Sequence, residues 1–407
     1  MIYTIMKKRI LFTSIKSCSG CTACESVCPV QAITMQPDQD GFLYPQVNNE
    51  KCINCGLCTK VCVYQNEQPA VSDKKVFAAV AKNTDISKSA SGGLFSSIAT
   101  SVLKSGGVVY GSAMIYENDH LTVKHIKVEN ENDLCLLKGS KYVHSNMQGV
   151  YSDVLNQLKA GKTVLFSGTP CQIAGLKGFL QKDYNNLYTI DLICHGVPSE
   201  KLFQQYISFE EAKHKSNITA YRFRDKSQGW KLHGAMTLEN GNTIYFEPEE
   251  SSYYQMFLNS YTYRENCYSC PYASDRRPGD ITIGDYWCID LVHPELLLEN
   301  GGQIDEHKGV SCMMVNNDKG RELVAIYGHG INCWQSTFEK AAKYNRQLTA
   351  PSVLKPERDI VLKLARNNYA ELDKWYRKRL RSIRIKRAIR QSVPRPVKNI
   401  VKSIIGK

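Results

Sequence analysis

Cysteines dominate the chemistry that the first 68 residues could perform. Two runs share one spacing, Cys-x2-Cys-x2-Cys-x3-Cys; they are Cys18, Cys21, Cys24 and Cys28, then Cys52, Cys55, Cys58 and Cys62. Three cysteines at such short steps can wrap three corners of one iron–sulfur cube, whereas structural zinc normally uses two CxxC pairs placed well apart. Since the thiolate is the metal-binding form of cysteine, both runs indicate metal chemistry.

The fourth cysteine of each run serves the other cluster in the bacterial ferredoxin pattern, which both runs match. We therefore expect two 4Fe–4S clusters. Their ligands are Cys18, Cys21, Cys24 and Cys62 for one, and Cys52, Cys55, Cys58 and Cys28 for the other. Pro29 follows the first run, but Val63 replaces the second proline, which weakens a turn and leaves the ligands unchanged. The alternative is a disulfide or zinc knot.

A second set of cysteines lies further along the chain. Cys171 follows the apolar strand TVLF, and Cys194 ends the next apolar strand, so both are expected at the carboxyl edge of a parallel sheet. With Cys267 and Cys270 of one loop they give four thiolates, and we expect a third 4Fe–4S cluster. The alternatives are buried apolar roles for Cys171 and Cys194, or zinc at Cys267 and Cys270.

The remaining cysteines lack such a context, and we interpret them as structural. They are Cys135, Cys288, Cys312 and Cys333. His195, which follows Cys194, could donate a proton near the third site, although a structural hydrogen bond is the alternative that we favour. No catalytic acid or base is identifiable from the sequence.

Two short stretches could hold phosphate groups. Ser91-Gly92-Gly93 is expected to open a helix, where backbone amides and the positive end of the dipole attract anions. The turn LKGSKYVHS at 137–145 places Lys138 and Lys141 around Gly139-Ser140 and could grip a pyrophosphate. The alternatives are a plain helix cap and a charged surface turn.

The elements that position these residues indicate an α/β (α+β) protein. The two cysteine runs flank a hairpin with its turn at Asp40-Gly41, which predicts a ferredoxin-like two-cluster domain at 1–68. Strands and helices alternate from Val76, so residues 75–350 should form an α/β domain with a mixed sheet. A further hairpin is expected with its turn near Asn240-Gly241, and residues 351–407 form a basic helical segment.

Charge and hydropathy restrict the cellular setting. The net charge is +13, and the thirteen Lys and Arg residues from Lys374 to Lys407, where no Asp or Glu occurs, equal all of it. Apolar residues recur at helical spacing among these charges, at Val397, Ile400, Val401 and Ile404. We expect a cytoplasmic protein, since no signal peptide or apolar run of about 18 residues is evident. The tail could attach it peripherally to anionic lipid or pack on protein, and no nucleic-acid motif is present.

The order of motifs resembles a known family. After the ferredoxin module come SASGGLFSSIA, KGSKYV, FSGTPCQIAGL, DLICHGVPS and CYSCPYASDRRPGDITIGDYW. Over roughly residues 1–330 this is similar to the beta subunits of the F-420-reducing hydrogenases and dehydrogenases, a family that also includes formate dehydrogenase and reductase subunits. The resemblance implies FAD and supports a cluster at Cys171, Cys194, Cys267 and Cys270. The FAD contacts that it implies lie around Ser91, Gly92, Gly93, Gly139, Ser140, Lys141 and Tyr142.

Together these features predict an iron–sulfur flavoprotein oxidoreductase. Clusters move single electrons, a hydride carries two, and a flavin connects the two modes. We expect exchange with a soluble electron carrier or redox partner subunits on one side. On the other side we expect a small hydride-carrying substrate, which is coenzyme F-420 in archaeal members of the family. The alternatives are a non-catalytic electron-transfer subunit of a larger complex and a zinc-stabilised interaction protein.

Overall fold

The computed structural model describes residues 11–12, 14–65, 74–82 and 86–392, with side chains up to residue 381. The predicted amphipathic segment with Val397, Ile400, Val401 and Ile404 lies outside these residues, as does most of the predicted linker at 66–75. Within the described part of the chain, no helix has the length and apolarity needed to cross a bilayer.

The cysteine-rich module is an internal repeat in structure as well as in sequence. It contains helices α1 (Ala23–Ser26) and α2 (Leu57–Lys60) and strands β1 (Ile33–Pro37) and β2 (Leu43–Val47). Each helix starts after a left-handed residue, Thr22 or Gly56. The strands pair antiparallel, and the predicted turn contains Gly41 at φ +85°, a conformation that glycine adopts without a steric penalty.

A large mixed sheet forms the centre of the molecule. Its strands are β3 (Lys75–Ala81), β4 (Val108–Glu117), β5 (His120–Val128), β6 (Val164–Gly168), β7 (Leu187–Leu192), β11 (Ile281–Asp285), β12 (Ser311–Val315) and β13 (Ile331–Ser336). The spatial order is β13-β3-β12-β11-β7-β6-β4-β5. Strands β4, β6, β7 and β11 run parallel, and the outer pairs are antiparallel. The expected mixed sheet is therefore present, and its parallel strands end at one edge.

A smaller sheet and the remaining helices complete the fold. Strands β8 (Ile218–Arg222), β9 (Gly234–Leu238) and β10 (Thr243–Phe246) form the antiparallel sheet, with the predicted hairpin turn at Gly241. The other helices are α3 (Leu94–Lys104), α4 (Val150–Lys159), α5 (Pro170–Leu180), α6 (Glu200–His214), α7 (Ser252–Leu258), α8 (Ile289–Val292), α9 (Asp318–Tyr327), α10 (Phe338–Ala342), α11 (Glu357–Asn367) and α12 (Tyr369–Ser392). The helical segment predicted after residue 350 is thus found in α11 and α12.

Helices cover both faces of the central sheet. Leu94 and Ile98 of α3 share a core with Leu165 of β6, and Ile173 of α5 packs in a second core with Phe166 of the same strand. Residues on both faces of β6 are buried, which explains why its sequence VLFSG carries no polar alternation. Helix α5 follows β6 directly, so its first turn lies at the carboxyl edge of the parallel strands.

The hairpin of the cysteine-rich module is attached to helix α11 and to the start of helix α6. Arg366 of α11 donates two hydrogen bonds to the Asp40 carboxylate, with Nε–Oδ1 and Nη2–Oδ2 distances of 2.6 and 2.7 Å. The Ser199 hydroxyl donates to the Asp40 carbonyl at 2.6 Å, and Lys201 Nζ donates to the Gln39 carbonyl at 2.9 Å. The predicted Asp40-Gly41 turn is therefore also an attachment point that holds the module on the α/β body.

Candidate iron–sulfur and flavin sites

The sulfurs of Cys18, Cys21, Cys24 and Cys62 lie within electrostatic reach of one another. Burial raises the pKa of the Cys21 thiol to about 12, and Cys18 and Cys62 raise it further. Burial likewise raises the pKa of Cys24, with added repulsion from Cys21, Cys18 and Cys62. The fold therefore brings Cys62 to the first run, as the crossed ferredoxin pattern requires.

The other four cysteines of the module line one cavity. Its walls carry Cys28, Cys52, Cys55 and Cys58, together with the apolar side chains of Val30, Ala32, Ile33, Val47, Ile53 and Leu57. The backbone amide of Ala32 donates a hydrogen bond to Cys28 Sγ at 3.2 Å. Cys28 thus lies in space with the cysteines of the second run, just as Cys62 lies with those of the first run.

The third set of cysteines also converges. Burial raises the pKa of Cys194 to about 12, with added repulsion from Cys171 and Cys270. Burial raises the pKa of Cys267 as well, and its neighbours there are Cys194, Cys270 and Cys171. Cys171 lies in the first turn of α5, Cys194 follows β7, and the other two flank the end of a 3₁₀ turn at Glu265–Ser269. The predicted carboxyl-edge position of Cys171 and Cys194 is confirmed.

Each of these groups brings together four cysteines, the number that binds one 4Fe–4S cluster. Within the described ranges, no three His, Cys, Asp or Glu side chains stand close enough together to hold one metal ion. In the first and third groups burial raises the pKa of Cys21, Cys24, Cys194 and Cys267, and bound iron would stabilise the thiolates there.

The first and third groups adjoin each other. Cys171 is among the residues that raise the pKa of the Cys21 thiol, after burial and Cys18. Val63, which follows Cys62, packs in one apolar cluster with Ala174 of α5, and Cys171 and Cys270 contact that cluster. The third group therefore lies directly beside the ferredoxin module, next to its first group.

The Ser91–Gly93 segment differs from the expectation of a helix opened by Ser91. Helix α3 begins at Leu94 after Gly93 at φ +82°, and the Ser91 hydroxyl donates to the Val310 carbonyl at 2.8 Å. The Gly92 amide donates to Ser311 Oγ at 2.9 Å, and a Cβ at Gly92 would lie 2.7 Å from the Ala79 carbonyl oxygen. Close packing on β3 and β12 therefore accounts for glycine at position 92, and its predicted FAD contact stays a prediction.

The turn Gly139-Ser140-Lys141-Tyr142 is open and basic. Gly139 has φ +78°, and a Cβ at this position would have the Lys88 carbonyl oxygen as its nearest neighbour, at 3.9 Å. The Lys141 ammonium donates to the carbonyls of Leu136 and Lys138 at 3.0 and 2.8 Å. Desolvation lowers its pKa from 10.5 to about 7, and no carboxylate pairs with it within the described residues. The predicted pyrophosphate turn thus holds a desolvated Lys141 amine that pairs with no carboxylate of the described chain.

Tyr142 leads from this turn into an aromatic core. Its ring stacks on Phe257 at a centroid distance of 4.3 Å and an interplanar angle of 11°. Its carbonyl accepts a hydrogen bond from the Tyr253 hydroxyl at 2.8 Å. These contacts hold the end of the turn in place, so the turn presents Ser140 and Lys141 from a rigid support.

A charged and aromatic cluster near His195 is formed by residues that sequence reasoning did not single out. Arg224 pairs with Asp285, the last residue of β11, at 2.7 Å, and Trp230 Nε1 donates to the same carboxylate at 3.2 Å. The Trp230 and Trp287 rings stack 5.3 Å apart and are nearly parallel. The sequence signals two of these residues, Asp285 and Trp287, through the GDYW motif at the end of a strand.

His195 lies close to this cluster. Its side chain is exposed to solvent, and desolvation lowers the pKa of its imidazole while Asp285 acts to raise it. Its carbonyl accepts from Ser352 Oγ at 2.7 Å, but within the described residues its ring makes no hydrogen bond. The structural hydrogen bond that the sequence favoured for the imidazole is therefore not found there.

The four remaining cysteines lie apart from these sites. Cys312 is buried in the apolar core beside Val76 and Met314, where burial raises its pKa to about 12. Cys135 and Cys333 are exposed, and Cys288 precedes α8. Their positions are compatible with the structural roles expected for them.

Two family models match the chain. Residues 17–66 match a 4Fe-4S dicluster domain. Residues 161–330 match the C-terminal part of the beta subunit of coenzyme F420 hydrogenase/dehydrogenase. The second match contains Cys171, Cys194, Cys267 and Cys270, and the first contains the eight cysteines of the two runs.

Known proteins similar to the chain include two from Methanosarcina species. One subunit of the F(420)H(2) dehydrogenase of Methanosarcina mazei is 23% identical over 205 residues, which are 46% of this chain and 57% of that protein. A chain of the F420-reducing [NiFe] hydrogenase complex from Methanosarcina barkeri superposes with a TM-score of 0.42 and 15% identity, over 76% of this chain and 93% of that one. A structural similarity of this size carries no conclusion about function.

The two matched regions contain the ferredoxin module and three of the five later motifs of the resemblance, whereas SASGGLFSSIA and KGSKYV lie outside them. Together with the converging cysteines, they establish iron–sulfur chemistry and the type of domain that follows it. The chain therefore carries a 4Fe–4S dicluster domain, and after it a region related to the C-terminal part of the coenzyme F420 hydrogenase/dehydrogenase beta subunits.

Proposed function

We propose that this protein is an iron–sulfur flavoprotein that passes electrons between three 4Fe–4S clusters, FAD and a small hydride carrier. The observation that carries the proposal is the position of the third cysteine group. Its members Cys171 and Cys194 lie at the carboxyl edge of the parallel strands, next to Cys21 on one side and His195 on the other. That arrangement favours a relay from the ferredoxin module to a site in the α/β domain.

The cluster ligands in this proposal are twelve cysteines. Cys18, Cys21, Cys24 and Cys62 would hold the first cluster, Cys28, Cys52, Cys55 and Cys58 the second, and Cys171, Cys194, Cys267 and Cys270 the third. Bound clusters would supply one-electron transfer, while the protein sets their spacing, burial and hydrogen bonds.

The exposed end of the relay would be the second cluster. Cys55 is exposed, and the rim of its cavity carries Ile53 and Val30, which are 62% and 37% exposed. A site with an accessible ligand and an apolar rim suits contact with a redox partner protein. The M. mazei relative is named as a subunit of a dehydrogenase, which favours a partner subunit for this chain as well.

FAD would lie between the basic turn and the third cluster. Lys141 offers an amine without a carboxylate partner in the described residues, and Gly139 leaves space beside the Lys88 carbonyl. Flavin would supply the conversion between single electrons and hydride. The chain's own residues would bind the pyrophosphate, exclude water and, through His195, hold a proton.

Carrier reduction by the isolated protein tests this function. The anaerobic holoprotein would receive electrons from dithionite or a reduced ferredoxin, and the absorbance of coenzyme F-420 or another deazaflavin would be followed. We expect carrier reduction that Cys194→Ser slows at least tenfold while both ferredoxin clusters still become reduced. Cys333→Ser, at an exposed cysteine apart from the sites, serves as the matched control.

Two other outcomes would decide against parts of the proposal. Carrier reduction that appears only after partner subunits are added would make the chain a non-catalytic electron-transfer subunit. Unchanged carrier reduction in Cys194→Ser, with full flavin content, would remove the third cysteine group from the electron path.

A further inference from the structure

Arg264 is a fully buried cation at the junction of the ferredoxin module and the α/β domain. Its residue is 1% exposed, and it stands just before the 3₁₀ turn that leads to Cys267 and Cys270. Its amide donates to the Val197 carbonyl at 2.9 Å, which fixes its backbone near the end of β7. Its side chain reaches from the third cysteine group to the first.

The other buried arginines have carboxylate partners. Arg277 pairs with Asp191 at 2.7 Å, Arg224 with Asp285 at 2.7 Å, and Arg358 with Glu265 at 3.0 Å. Arg264 has no carboxylate within ion-pair distance in the described part of the chain, and its Nη1 atom is buried without a hydrogen-bond acceptor. A buried charge is costly unless it is compensated, so an anion that the protein side chains do not provide is expected beside it.

The groups around the guanidinium show where that anion belongs. Arg264 Nε donates to the Cys18 carbonyl at 2.8 Å, and Nη2 lies 3.5 Å from Cys18 Sγ. The guanidinium carbon lies 4.0 Å from the centre of the Tyr44 ring. A Cβ at position 20 would lie 3.1 Å from Nη1, so Gly20 leaves the space that the guanidinium occupies.

Arg264 also acts on the third group. Burial raises the pKa of Cys171, while Arg264 is among the groups that lower it, because its positive charge favours the thiolate. The residue therefore lies within electrostatic reach of ligands of two clusters, and Cys18 is the nearer. A cube bound by four thiolates is a net anion, which matches the missing partner.

We propose that Arg264 is a positioning residue that partly compensates the negative charge of the cluster bound by Cys18 and raises its reduction potential. This inference rests on the proposed clusters. Net charge and hydrogen bonds to sulfur are known determinants of cluster potentials. Reduction of the cluster adds one electron from the redox partner. It adds no proton at Arg264, because arginine stays protonated. The cation stabilises the reduced cluster more than the oxidised one.

The test compares midpoint potentials in the anaerobic holoprotein, measured by potentiometric titration with electron paramagnetic resonance. Arg264→Met should lower the ratio of reduced to oxidised first cluster at a fixed potential about tenfold, which corresponds to about 59 mV for one electron. Arg264→Lys keeps the charge, so its first-cluster midpoint potential should lie between that of Arg264→Met and that of the unmutated protein. Arg321→Met, which removes a charge paired with the exposed Asp318, should leave all potentials unchanged.

Each pattern of results has a defined meaning. Loss of the first cluster in Arg264→Met, with retention and a small shift in Arg264→Lys, supports a requirement for the charge. Unchanged potentials in both variants, or equal loss of the cluster from both, would make Arg264 a packing residue and overturn the proposal.

A measurement on the unmutated protein gives a second test. Labelling arginine side chains with 15N should produce a weak nitrogen coupling in pulsed spectra of the reduced first cluster, since Nη2 lies 3.5 Å from Cys18 Sγ. The absence of that coupling, with all clusters present, would contradict the inference. Because cluster content is counted separately, this result is distinguishable from failure of the proposed function.

Discussion

Gly175 of helix α5 lies directly against Cys21 of the ferredoxin module. A Cβ at position 175 would stand 2.9 Å from Cys21 Cβ, 3.0 Å from Cys21 Sγ and 2.7 Å from the Tyr151 hydroxyl. Three residues further on, a Cβ at Gly178 would stand 2.5 Å from the Val61 carbonyl oxygen. The glycine face of α5 thus lets the module approach the helix whose first turn carries Cys171.

Gly175→Ala should separate the two cluster sites. The added methyl group meets a backbone-anchored cysteine, so we expect a loss of about 1–3 kcal/mol in the free energy of unfolding, as for other overpacked sites. Iron content should fall, and electron transfer from the module to the third cluster should slow. Gly111→Ala is the control, since its nearest neighbour, Leu137, lies at an ordinary 3.4 Å. Equal stability and iron content in both variants would refute the close approach.

The crossed assignment of Cys62 and Cys28 predicts which variants share a phenotype. Cys62→Ser should remove the same resonance signal as Cys21→Ser, because Cys62 lies with the first run. Cys28→Ser should remove the same signal as Cys55→Ser, because both line one cavity. Electron paramagnetic resonance of the reduced protein checks this pairing. If Cys62→Ser instead matched Cys55→Ser, each run would bind its own cluster.

The lowered pKa of Lys141 predicts that FAD binding depends on pH. Its pKa of about 7 lies below the ordinary value of 10.5. Between about pH 7 and pH 10.5 the unfolded chain therefore binds more protons at Lys141 than the folded chain does. In that range Lys141 makes the free energy of unfolding rise with pH. A phosphate beside Lys141 would raise its pKa, so FAD binding above pH 7 should take up a proton and weaken as pH rises. Calorimetry in buffers of different ionisation enthalpy measures this uptake.

Two variants check the source of that proton uptake. Lys141→Met should abolish the uptake and weaken FAD binding at pH 7, whereas Lys363→Met, at an exposed lysine, should change neither. Proton uptake that survives in Lys141→Met would assign the pyrophosphate to another part of the protein.

His195→Gln should separate stability from turnover. The His195 ring makes no hydrogen bond within the described residues, so the free energy of unfolding should change by less than about 0.5 kcal/mol. If the imidazole holds a proton for the hydride carrier, carrier turnover should fall while cluster reduction continues. His120→Gln, at an exposed position, is the control. Normal turnover in His195→Gln would exclude this role.

The cysteine pattern was sufficient to predict much of the site because spacing alone determines how a short loop can wrap a cube. It also predicted that Cys171 and Cys194 would meet at one edge, since apolar strands precede both. The pairing partners of the sheet were not predictable, because a strand pattern in the sequence does not show which strand lies beside it; β13, which mixes polar with apolar residues, is weak even as a strand signal. The sequence predicts that Ser91 opens a helix, whereas helix α3 begins three residues later, at Leu94.

Arg264 could not be found from the sequence, because a single arginine in TYRENC looks like a surface charge. Its role depends on residues 246 positions away, such as Cys18, and on the space left by Gly20. The same holds for the contact between Arg366 and Asp40, which are 326 positions apart. Long-range contacts of this kind follow from the packing of the two domains and have no local signature.

The iron, sulfide, zinc and flavin content of anaerobically purified protein tests the central claim most directly. The account predicts about twelve iron atoms, a matching amount of acid-labile sulfide and one FAD per chain, with a brown colour and no zinc. About eight iron atoms without flavin would leave only the ferredoxin module and contradict both the third cluster and the FAD site. Colourless protein that contains zinc would contradict the account as a whole.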